Sequence, residues 1–393
     1  MPVTLLWLAL GAFCIGTELF MIAPLLPGLA ADLGVSVATA GQLITVAALT
    51  YAVGSPVLST LTGAYDRKSL LTITMLAFAL AAALATVASS FTQLVLVKIL
   101  LALASGLFMP AANTVGAMLV APEKRARAIA AITGGLTVAV AFGVPLGAWI
   151  GSFSTWRTAY ALVAIAGLMA VAGLLVGLPR NLPRGSATLA QRVAVAGRPE
   201  ILAAMLVTFL WATAAFSVYT YITPLAARIG GDHHLVMILL LAFGFAAAFG
   251  NALGGWFSDR AGPVRTMAIA LTALALADMG SSAAVWLGAS FAAQALLVVV
   301  SLTWGVAGWA FHPAQSARLV SLTPESAVVA LSLNASAMYL GTAAGAALGA
   351  LVLSIGSVGD LGWVATGYRL AGLAVLVLAV RLAEARLRPQ PGE

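Results

Sequence analysis

The chain has 393 residues, of which 62% are hydrophobic and 8% are charged, and its formal net charge is +7. Soluble globular domains carry about 25% charged residues, so this composition excludes a water-soluble fold of this length. The basic surplus does not indicate nucleic-acid binding, because most basic residues occupy the polar intervals on one side of a series of apolar stretches.

These apolar stretches recur along the whole chain, and each approaches the roughly 20 residues that cross a bilayer as a helix. They predict twelve membrane-spanning helices, six in each half, which begin near positions 5, 38, 69, 94, 128, 158, 200, 235, 266, 291, 328 and 364. The alternation typical of a membrane β-barrel is missing. We expect an all-α membrane protein of two pseudo-symmetric six-helix halves, with a retained first span because no basic segment precedes it.

The halves are predicted at residues 1–178 and 200–393, with a linker at 179–199. This linker is the longest polar interval and is rich in proline, glycine and arginine. A short surface helix is expected within it, near Leu189 to Ala196. The other loops are short and leave no room for a further domain.

Basic residues predict the orientation. With the N-terminus inside, the cytoplasmic loops and the C-terminal tail receive most of the 19 lysines and arginines. Arg157, Arg228 and Arg369 would lie outside, and Lys98 would lie within a span. This distribution follows the positive-inside rule and places both termini in the cytoplasm of a multi-pass inner-membrane protein.

Two motifs occur once in each half at similar offsets, as expected for a duplicated unit. A glycine–aspartate–basic motif stands between spans 2 and 3 and again between spans 8 and 9. Its members are Gly63, Asp66, Arg67 and Lys68 in the first copy and Gly255, Asp259, Arg260 and Arg265 in the second. A Phe-X-Pro-Ala motif followed by Pro-Glu begins at Phe108 and again at Phe311. Two similar halves are typical of transporters that bind their substrate at mid-bilayer.

Motifs of enzymes and metal sites are missing from the sequence. Cys14 is the only cysteine, so no intrachain disulfide forms. The histidines His233, His234 and His312 do not have zinc-site spacing, and neither a P-loop nor a G-x-S-x-G motif occurs. We expect no enzyme activity, no metal and no cofactor.

Three charged residues lie deep within predicted spans. Glu18 is near mid-span, where an ionised carboxylate is costly and proton binding removes the charge. It is therefore our candidate proton carrier, the alternative being a permanent bond to a neighbouring helix. Asp278 either shares this role or reaches the outer surface or the nearby Ser281 and Ser282. Lys98 either pairs with a carboxylate or snorkels to the interface.

Polar and aromatic side chains inside the spans are candidates for a substrate cavity, since buried amides and phenols need partners. The candidates are Phe20, Met21, Gln42, Asn113, Trp211, Tyr219, Tyr221, Gln294, Trp304 and Asn334. Asn251 belongs to the same polar set. Tyr219 and Tyr221 fit an interfacial aromatic belt equally well.

Small residues recur every four positions in spans 5 and 11. Span 5 carries Gly135, Ala139, Gly143, Gly147 and Gly151, and span 11 carries Ala337, Gly341, Gly345 and Gly349. This spacing puts them on one helix face, where they allow close packing of another helix. An additional interpretation is that Gly143, Pro145 and Gly147 bend span 5 and seal a path.

Several stretches together resemble a known family over essentially the whole chain. They are Thr17-Glu18 leading to Pro24-Leu25-Leu26-Pro27, Asp66-Arg67-Lys68, Gly143-Val144-Pro145-Leu146-Gly147, Trp156-Arg157 and Tyr219-Thr220-Tyr221-Ile222. The chain resembles twelve-span transporters of the major facilitator superfamily, in their drug:proton antiporter branch, and within it the bacterial sugar, arabinose and chloramphenicol exporters.

The resemblance implies roles for individual residues. It implies that the two glycine–aspartate–basic motifs act as a conformational latch on the cytoplasmic side, the first with a spacing one residue shorter than the common form. Gly143, Pro145 and Gly147 match the antiporter motif, with one valine between the first two. Lys98 stands where the family has an arginine, which keeps the charge but not the planar fork.

The resulting hypothesis is proton-coupled efflux of a sugar, nucleoside or drug by alternating access. The expected partners are this small molecule, protons and the lipid bilayer, without nucleic acid, and the transporter is expected to be a monomer. The alternatives are a proton-coupled importer and a non-transporting membrane sensor.

Overall fold

The computed structural model describes residues 3–121, 124–179, 182 and 189–387, without the side chains of residues 126, 189–192 and 382–387. The first copy of the Pro-Glu pair and part of the predicted linker (180, 181 and 183–188) lie outside the described residues. The described part of the chain is almost entirely helical. Its helices are α1 (Val3–Asp32), α2 (Val37–Leu61), α3 (Arg67–Thr86), α4 (Phe91–Met118), α5 (Arg125–Val138), α6 (Val144–Phe153), α7 (Trp156–Gly177), α8 (Leu189–Ala196), α9 (Pro199–Tyr219), α10 (Ile222–Arg228), α11 (His233–Ala261), α12 (Pro263–Trp286), α13 (Phe291–Leu322), α14 (Ala327–Ile355) and α15 (Leu361–Leu387).

Twelve helical segments of the described chain are long and apolar enough to cross a membrane, as predicted. They begin within a few residues of the predicted positions. Span 5 consists of α5, a π-helical segment at Ala139–Gly143, and α6. The predicted linker helix is also present, as α8.

Serine and aspartate side chains mark where several helices begin. Ser90 and Ser290, at equivalent places in the two halves, accept hydrogen bonds from the backbone N–H groups of Gln93 and Ala293 at 3.3 and 3.2 Å. Such N-caps satisfy backbone groups that a helix leaves unpaired at its first turn. Asp232 does the same for α11, and the hydrogen bonds from the backbone of Leu235 and then His234 hold its pKa below the usual range.

The small-residue faces of spans 5 and 11 are packing surfaces. Span 5 lies against α1, where a methyl group added at Gly143 would collide with Oγ1 of Thr17 and one at Gly135 would collide with the carbonyl oxygen of Ala9. Span 11 packs in the same way on α9, one turn after another. The predicted close packing is therefore present in both halves, and it places α1 and α9 at the centre of the molecule.

The two halves meet chiefly where α2 packs on α14 and where span 5, mainly through its π-helical segment, packs on α11, with a smaller contact between α1 and α10. The phenol of Tyr219 on α9 donates to the carbonyl oxygen of Phe20 on α1 at 3.3 Å. Further along α1, Thr223 of α10 reaches the carbonyl oxygen of Pro24 at 3.5 Å. These contacts close the interface between the halves from the middle of α1 toward its C-terminal end.

Candidate functional site

Glu18 and Lys98 form an ion pair inside the N-terminal half. Glu18 lies in the middle of α1 and Lys98 near the start of α4, and their exposures are 4% and 1%. Tyr160 of α7 interacts electrostatically with the same carboxylate. The sequence left two alternatives for Lys98, pairing with a carboxylate or snorkelling to the interface, and in the structure Lys98 pairs with a carboxylate. A buried pair is held only while both charges are present, since either one alone is costly to bury.

A second buried ion pair lies in the C-terminal half. Arg369 Nε donates to Asp278 Oδ2 at 2.9 Å, and Trp304 Nε1 donates to Asp278 Oδ1 at 2.7 Å. Asp278 and Arg369 are each 1% exposed. The prediction that Arg369 lies outside the membrane is wrong, because it is buried within the last candidate span. Asp278 likewise reaches neither the outer surface nor the hydroxyls of its serine neighbours with its carboxylate.

A cavity of about 470 Å³ lies between the two halves. Its walls come from α1, α5, α9, α11, α12, α13, α14 and α15. Leu19 and Phe20 lie at mid-bundle, while Ala130 of α5 and Ser316 of α13 lie near the end where α1 begins. The cavity therefore extends from the middle of the bundle toward that end, which the basic residues predict to be cytoplasmic.

The lining is mainly aromatic and apolar, with a few polar groups. The aromatic members, counting histidine, are Phe20, Trp211, Phe216, Tyr219, Phe243, Trp304, Trp309, His312 and Tyr339. Asn251 and Thr137 are among the polar ones. Among the described lining residues, Arg369 carries the formal charge, and Asp278 neutralises it. The cavity thus offers π-faces and hydrogen-bonding groups with no uncompensated charge.

The structure brings together part of the predicted cavity set. Phe20, Trp211, Tyr219 and Trp304 line the cavity as predicted. The remaining candidates lie elsewhere in the structure: Met21, Gln42, Asn113, Tyr221, Gln294 and Asn334.

The contacts of these other candidates explain their positions. Met21 is fully buried where α1 packs against Gly147. The Tyr221 phenol donates to the carbonyl oxygen of Ala346 at 3.0 Å. Asn334 Oδ1 accepts a hydrogen bond from Thr208 at 2.6 Å, and Gln294 Nε2 reaches the carbonyl oxygen of Gly230 at 3.4 Å. The polar groups of Tyr221 and Asn334 are therefore hydrogen-bonded within the C-terminal half, although the Tyr221 ring also lies against Gly41 of α2 in the other half.

Sequence reasoning missed four lining residues that matter: Tyr339, His312, Trp309 and Arg369. His312 stands in the repeated Phe-X-Pro-Ala motif, which was the one signal available for it. Trp211 stacks on Phe311 with ring centroids 5.2 Å apart and packs edge-on to His312 at 4.7 Å. This aromatic group forms one wall of the cavity.

The two predicted latch motifs lie at the ends of α2 and α11. Asp66 caps α3 of its own half, accepting from the backbone N–H of Ser69 at 2.9 Å. Lys68 Nζ donates to the carbonyl oxygens of Leu175 and Leu178 at the end of α7, both at 2.7 Å. In the second copy, the Arg260 guanidinium lies 4.1 Å above the Trp256 ring. The first motif is therefore fastened to its own half, while this contact of the second lies within α11.

The antiporter motif stands at an irregular place in span 5. The π-helical segment ends at Gly143, and Pro145 lies in the first turn of α6. Pro145 lacks a backbone N–H for the helix ladder, and the wider π turn accommodates this. Span 5 is thus irregular where it crosses the middle of α1.

Asp232, His233 and His234 form an exposed cluster whose possible metal-ligating atoms lie within 4.8 Å of one another. They are consecutive residues at the start of α11, and the aspartate serves as the helix cap.

Comparison with known proteins gives consistent matches. The profile of the Major Facilitator Superfamily matches residues 8–280. The chain is 33% identical to the inner membrane transport protein YdhP of Escherichia coli strain K12 over 98% of this chain and 97% of that protein. It is also 33% identical to a chloramphenicol resistance protein of Streptomyces lividans, over 96% and 95% of the two chains.

Solved structures share the fold at low sequence identity. A bacterial homolog of the human lysosomal transporter Spinster, in an inward-facing and occupied conformation, aligns with a TM-score of 0.75 at 18% identity, over 99% of this chain and 98% of that one. A mutant form of the nucleoside transporter NupG aligns with a TM-score of 0.74 at 14% identity, over 96% and 99%.

Proposed function

The chain belongs to the major facilitator superfamily of membrane transporters, and we propose that it exports a small organic solute across the bacterial inner membrane in exchange for protons. The observation that carries this proposal is the position of the buried Glu18–Lys98 pair beside the central cavity but outside its lining. A proton site and a solute site that lie close together without overlapping can influence each other while each keeps its own ligand.

Glu18 is the proposed proton carrier. When its carboxylate binds a proton, Glu18 loses its charge and with it the attraction to Lys98, so the contact between α1 and α4 becomes weaker. One proton entering down 100 mV supplies about 2.3 kcal/mol, enough for about a 50-fold gradient of a neutral solute. Alternating access is the proposed route, with the two six-helix halves (1–178 and 200–393, joined by 179–199) moving against each other.

Export, rather than import, is proposed from the similarity to a protein named for chloramphenicol resistance, and the direction of the cavity fits the state in which such an exporter loads its solute. The cavity extends toward the end of the bundle that holds the start of α1 and the end of α13. If this end is cytoplasmic, as the basic residues predict, the solute enters from inside the cell. The opposite end is closed by the Tyr219–Phe20 and Thr223–Pro24 contacts.

The lining supports a flat solute that is at least partly aromatic and carries no net charge. Aromatic side chains bind such rings by stacking and edge contacts. Because Asp278 neutralises Arg369, neither an anion nor a lipophilic cation finds a free counter-charge. Within sugars, nucleosides and drugs, this chemistry favours nucleosides and neutral aromatic drugs. The similarity to a protein named for chloramphenicol resistance is in keeping with this preference.

The experiment is an export assay in cells with and without the protein, loaded with a panel of labelled sugars, nucleosides and neutral or cationic antibiotics. We expect energy-dependent efflux of neutral aromatic members that stops when a protonophore is added. Uptake driven by an inward proton gradient would instead identify an importer. If the protein moved no member of the panel in either direction, a membrane sensor would be favoured.

A further inference from the structure

A small second cavity lies directly beside Glu18. Its volume is about 20 Å³, and its polar lining consists of Glu18, Ser105, Tyr51 and Tyr339. One water needs at least about 10–15 Å³ and two or more polar partners. This cavity meets both requirements, so it can hold one water in contact with the carboxylate.

Tyr339 and Leu19 line both the small cavity and the central cavity. Leu19 belongs to α1 in the N-terminal half, and Tyr339 belongs to α14 in the C-terminal half. A single layer of side chains, drawn from both halves, therefore separates the water site beside Glu18 from the proposed solute site.

Tyr339 is held in this layer by Tyr51 of α2. Their rings stack with centroids 3.7 Å apart and an interplanar angle of 24°. Their immediate buried neighbours are alanines: Ala47, Ala48, Ala52, Ala102 and Ala343. Leu19 and Met338 pack against this cluster, and because alanine side chains are short, the two rings together with Leu19 supply most of the bulk of the wall. The stack also joins one half to the other, so any relative movement of the halves must change it.

The groups that face Glu18 come from four neighbouring helices. Lys98 of α4 pairs with it, and Tyr160 of α7 interacts with the carboxylate. Tyr51 of α2 and Tyr339 of α14 face it across the small cavity. On the α14 side, the Tyr339 ring lies between the carboxylate and the central cavity.

We propose that Tyr339 couples solute to proton: its ring, stacked on Tyr51, keeps the water of the central cavity away from Glu18, and its displacement opens the path along which Glu18 gains or loses a proton. The step is a proton relay: the water in the small cavity gives a proton to an oxygen of the Glu18 carboxylate as it takes one from the water of the central cavity, and release runs in reverse. A solute that fills the central cavity touches the same ring from the other side. The inference rests on the proposed role of Glu18 as proton carrier.

The test measures proton leak and needs no identified solute. Purified protein is placed in proteoliposomes that contain the pH-sensitive dye pyranine, and internal pH is followed after an external pH step. Tyr339→Ala joins the two cavities, so that Glu18 takes up a proton without solute and carries it across when the halves alternate; this should raise the leak on the order of tenfold over wild type, equivalent to a barrier lower by about 1.4 kcal/mol. Tyr339→Phe keeps the ring and should leak like wild type.

Three further variants make the result specific. Leu19→Ala opens the same wall from the other half and should also leak, which covers the case in which Tyr339→Ala fails to fold. Tyr368→Ala removes a tyrosine of α15 that lines neither cavity and should not leak. Glu18→Gln combined with Tyr339→Ala should return the leak to wild-type level.

A wild-type leak in both wall variants, a Tyr339→Ala leak that survives Glu18→Gln, or an equal leak from Tyr368→Ala would overturn the inference. The proposed function is tested separately by uphill export. If Glu18→Gln abolishes that export while the wall variants do not leak, the proposed function stands and this inference fails. If Glu18→Gln exports like wild type, the proposed function fails first.

Discussion

Glu18 on α1 and Lys98 on α4 form an ion pair with both side chains almost fully buried. Asp278 on α12 and Arg369 on α15 form the corresponding pair in the other half, with Trp304 as a third partner. The two pairs differ in their surroundings. Arg369 lines the central cavity, whereas Glu18 faces a separate small one. We therefore expect the C-terminal pair to hold the cavity wall and the N-terminal pair to exchange protons.

Asp278→Asn should lower stability strongly, because Arg369 keeps its charge and loses its counter-charge. Breaking a buried pair in this way costs about 3–5 kcal/mol. Asp32→Asn is the matched control: Asp32 also pairs with an arginine, Arg157, but their side chains are 42% and 28% exposed. Exposed pairs contribute at most about 1 kcal/mol. Thermal unfolding of both variants in detergent measures the difference, and equal melting temperatures would contradict the structural role of the buried pair.

Gly143→Ala should weaken the contact between span 5 and α1. The added methyl group would collide with Oγ1 of Thr17, and overpacking of this kind costs about 1–3 kcal/mol. Gly134→Ala is the control on the same span, since a methyl group there meets no atom within 4 Å. The measurement is the yield of folded protein and its melting temperature. A Gly143→Ala variant as stable as Gly134→Ala would show that the two helices are not held this closely.

Much of the fold was predictable because the spans are apolar on all sides and the polar intervals between them are short. Twelve spans follow from length and hydropathy alone. The deep charges were visible for the same reason, since Glu18, Lys98 and Asp278 interrupt apolar stretches. The partner of Asp278 could not be predicted from the sequence. Arg369 lies 91 residues away, and only the packing of α12 on α15 brings the two side chains together.

The cavity lining was harder to predict because it depends on how each helix is rotated about its axis. Phe20 faces the cavity and Met21 does not, since neighbouring residues on a helix point about 100° apart. A helix that is apolar on every face gives no sequence signal for that rotation. Tyr221 and Asn334 are polar within the spans but bond inside their own half, so polarity alone does not identify a lining residue.

Asp66→Asn tests the latch hypothesis. Asn is as good an N-cap as Asp, so this variant keeps the cap on α3 while it removes the charge. If the charge holds the two halves together on the cytoplasmic side in one state, the variant should favour the inward-open state and transport less, with little loss of stability. Asp66→Ala removes the cap as well and should cost about 1 kcal/mol more. Unchanged transport and unchanged cytoplasmic accessibility in Asp66→Asn would rule out the latch.

The orientation is testable with single cysteines in a Cys14→Ala background. Lys124 and His233 are exposed and lie at opposite ends of the bundle, and neither side chain caps a helix. In intact cells, Lys124→Cys should resist an impermeant thiol reagent and His233→Cys should react. His233 is preferable to its neighbour Asp232, which caps α11. Reversed labelling would place the termini outside and overturn the predicted orientation.

Glu18→Gln should stop uphill export driven by a pH gradient. Glutamine keeps the size and hydrogen bonding of a protonated glutamate but cannot release a proton, so the variant stays in one protonation state. Exchange of labelled for unlabelled solute needs no net proton movement and should persist, which separates lost coupling from misfolding. Glu200→Gln, in the first turn of α9, is the matched control and should export like wild type. Proteoliposomes with an imposed pH gradient provide the comparison. Uphill export by Glu18→Gln at near wild-type rate would remove Glu18 from the mechanism and leave Asp278 as the next candidate.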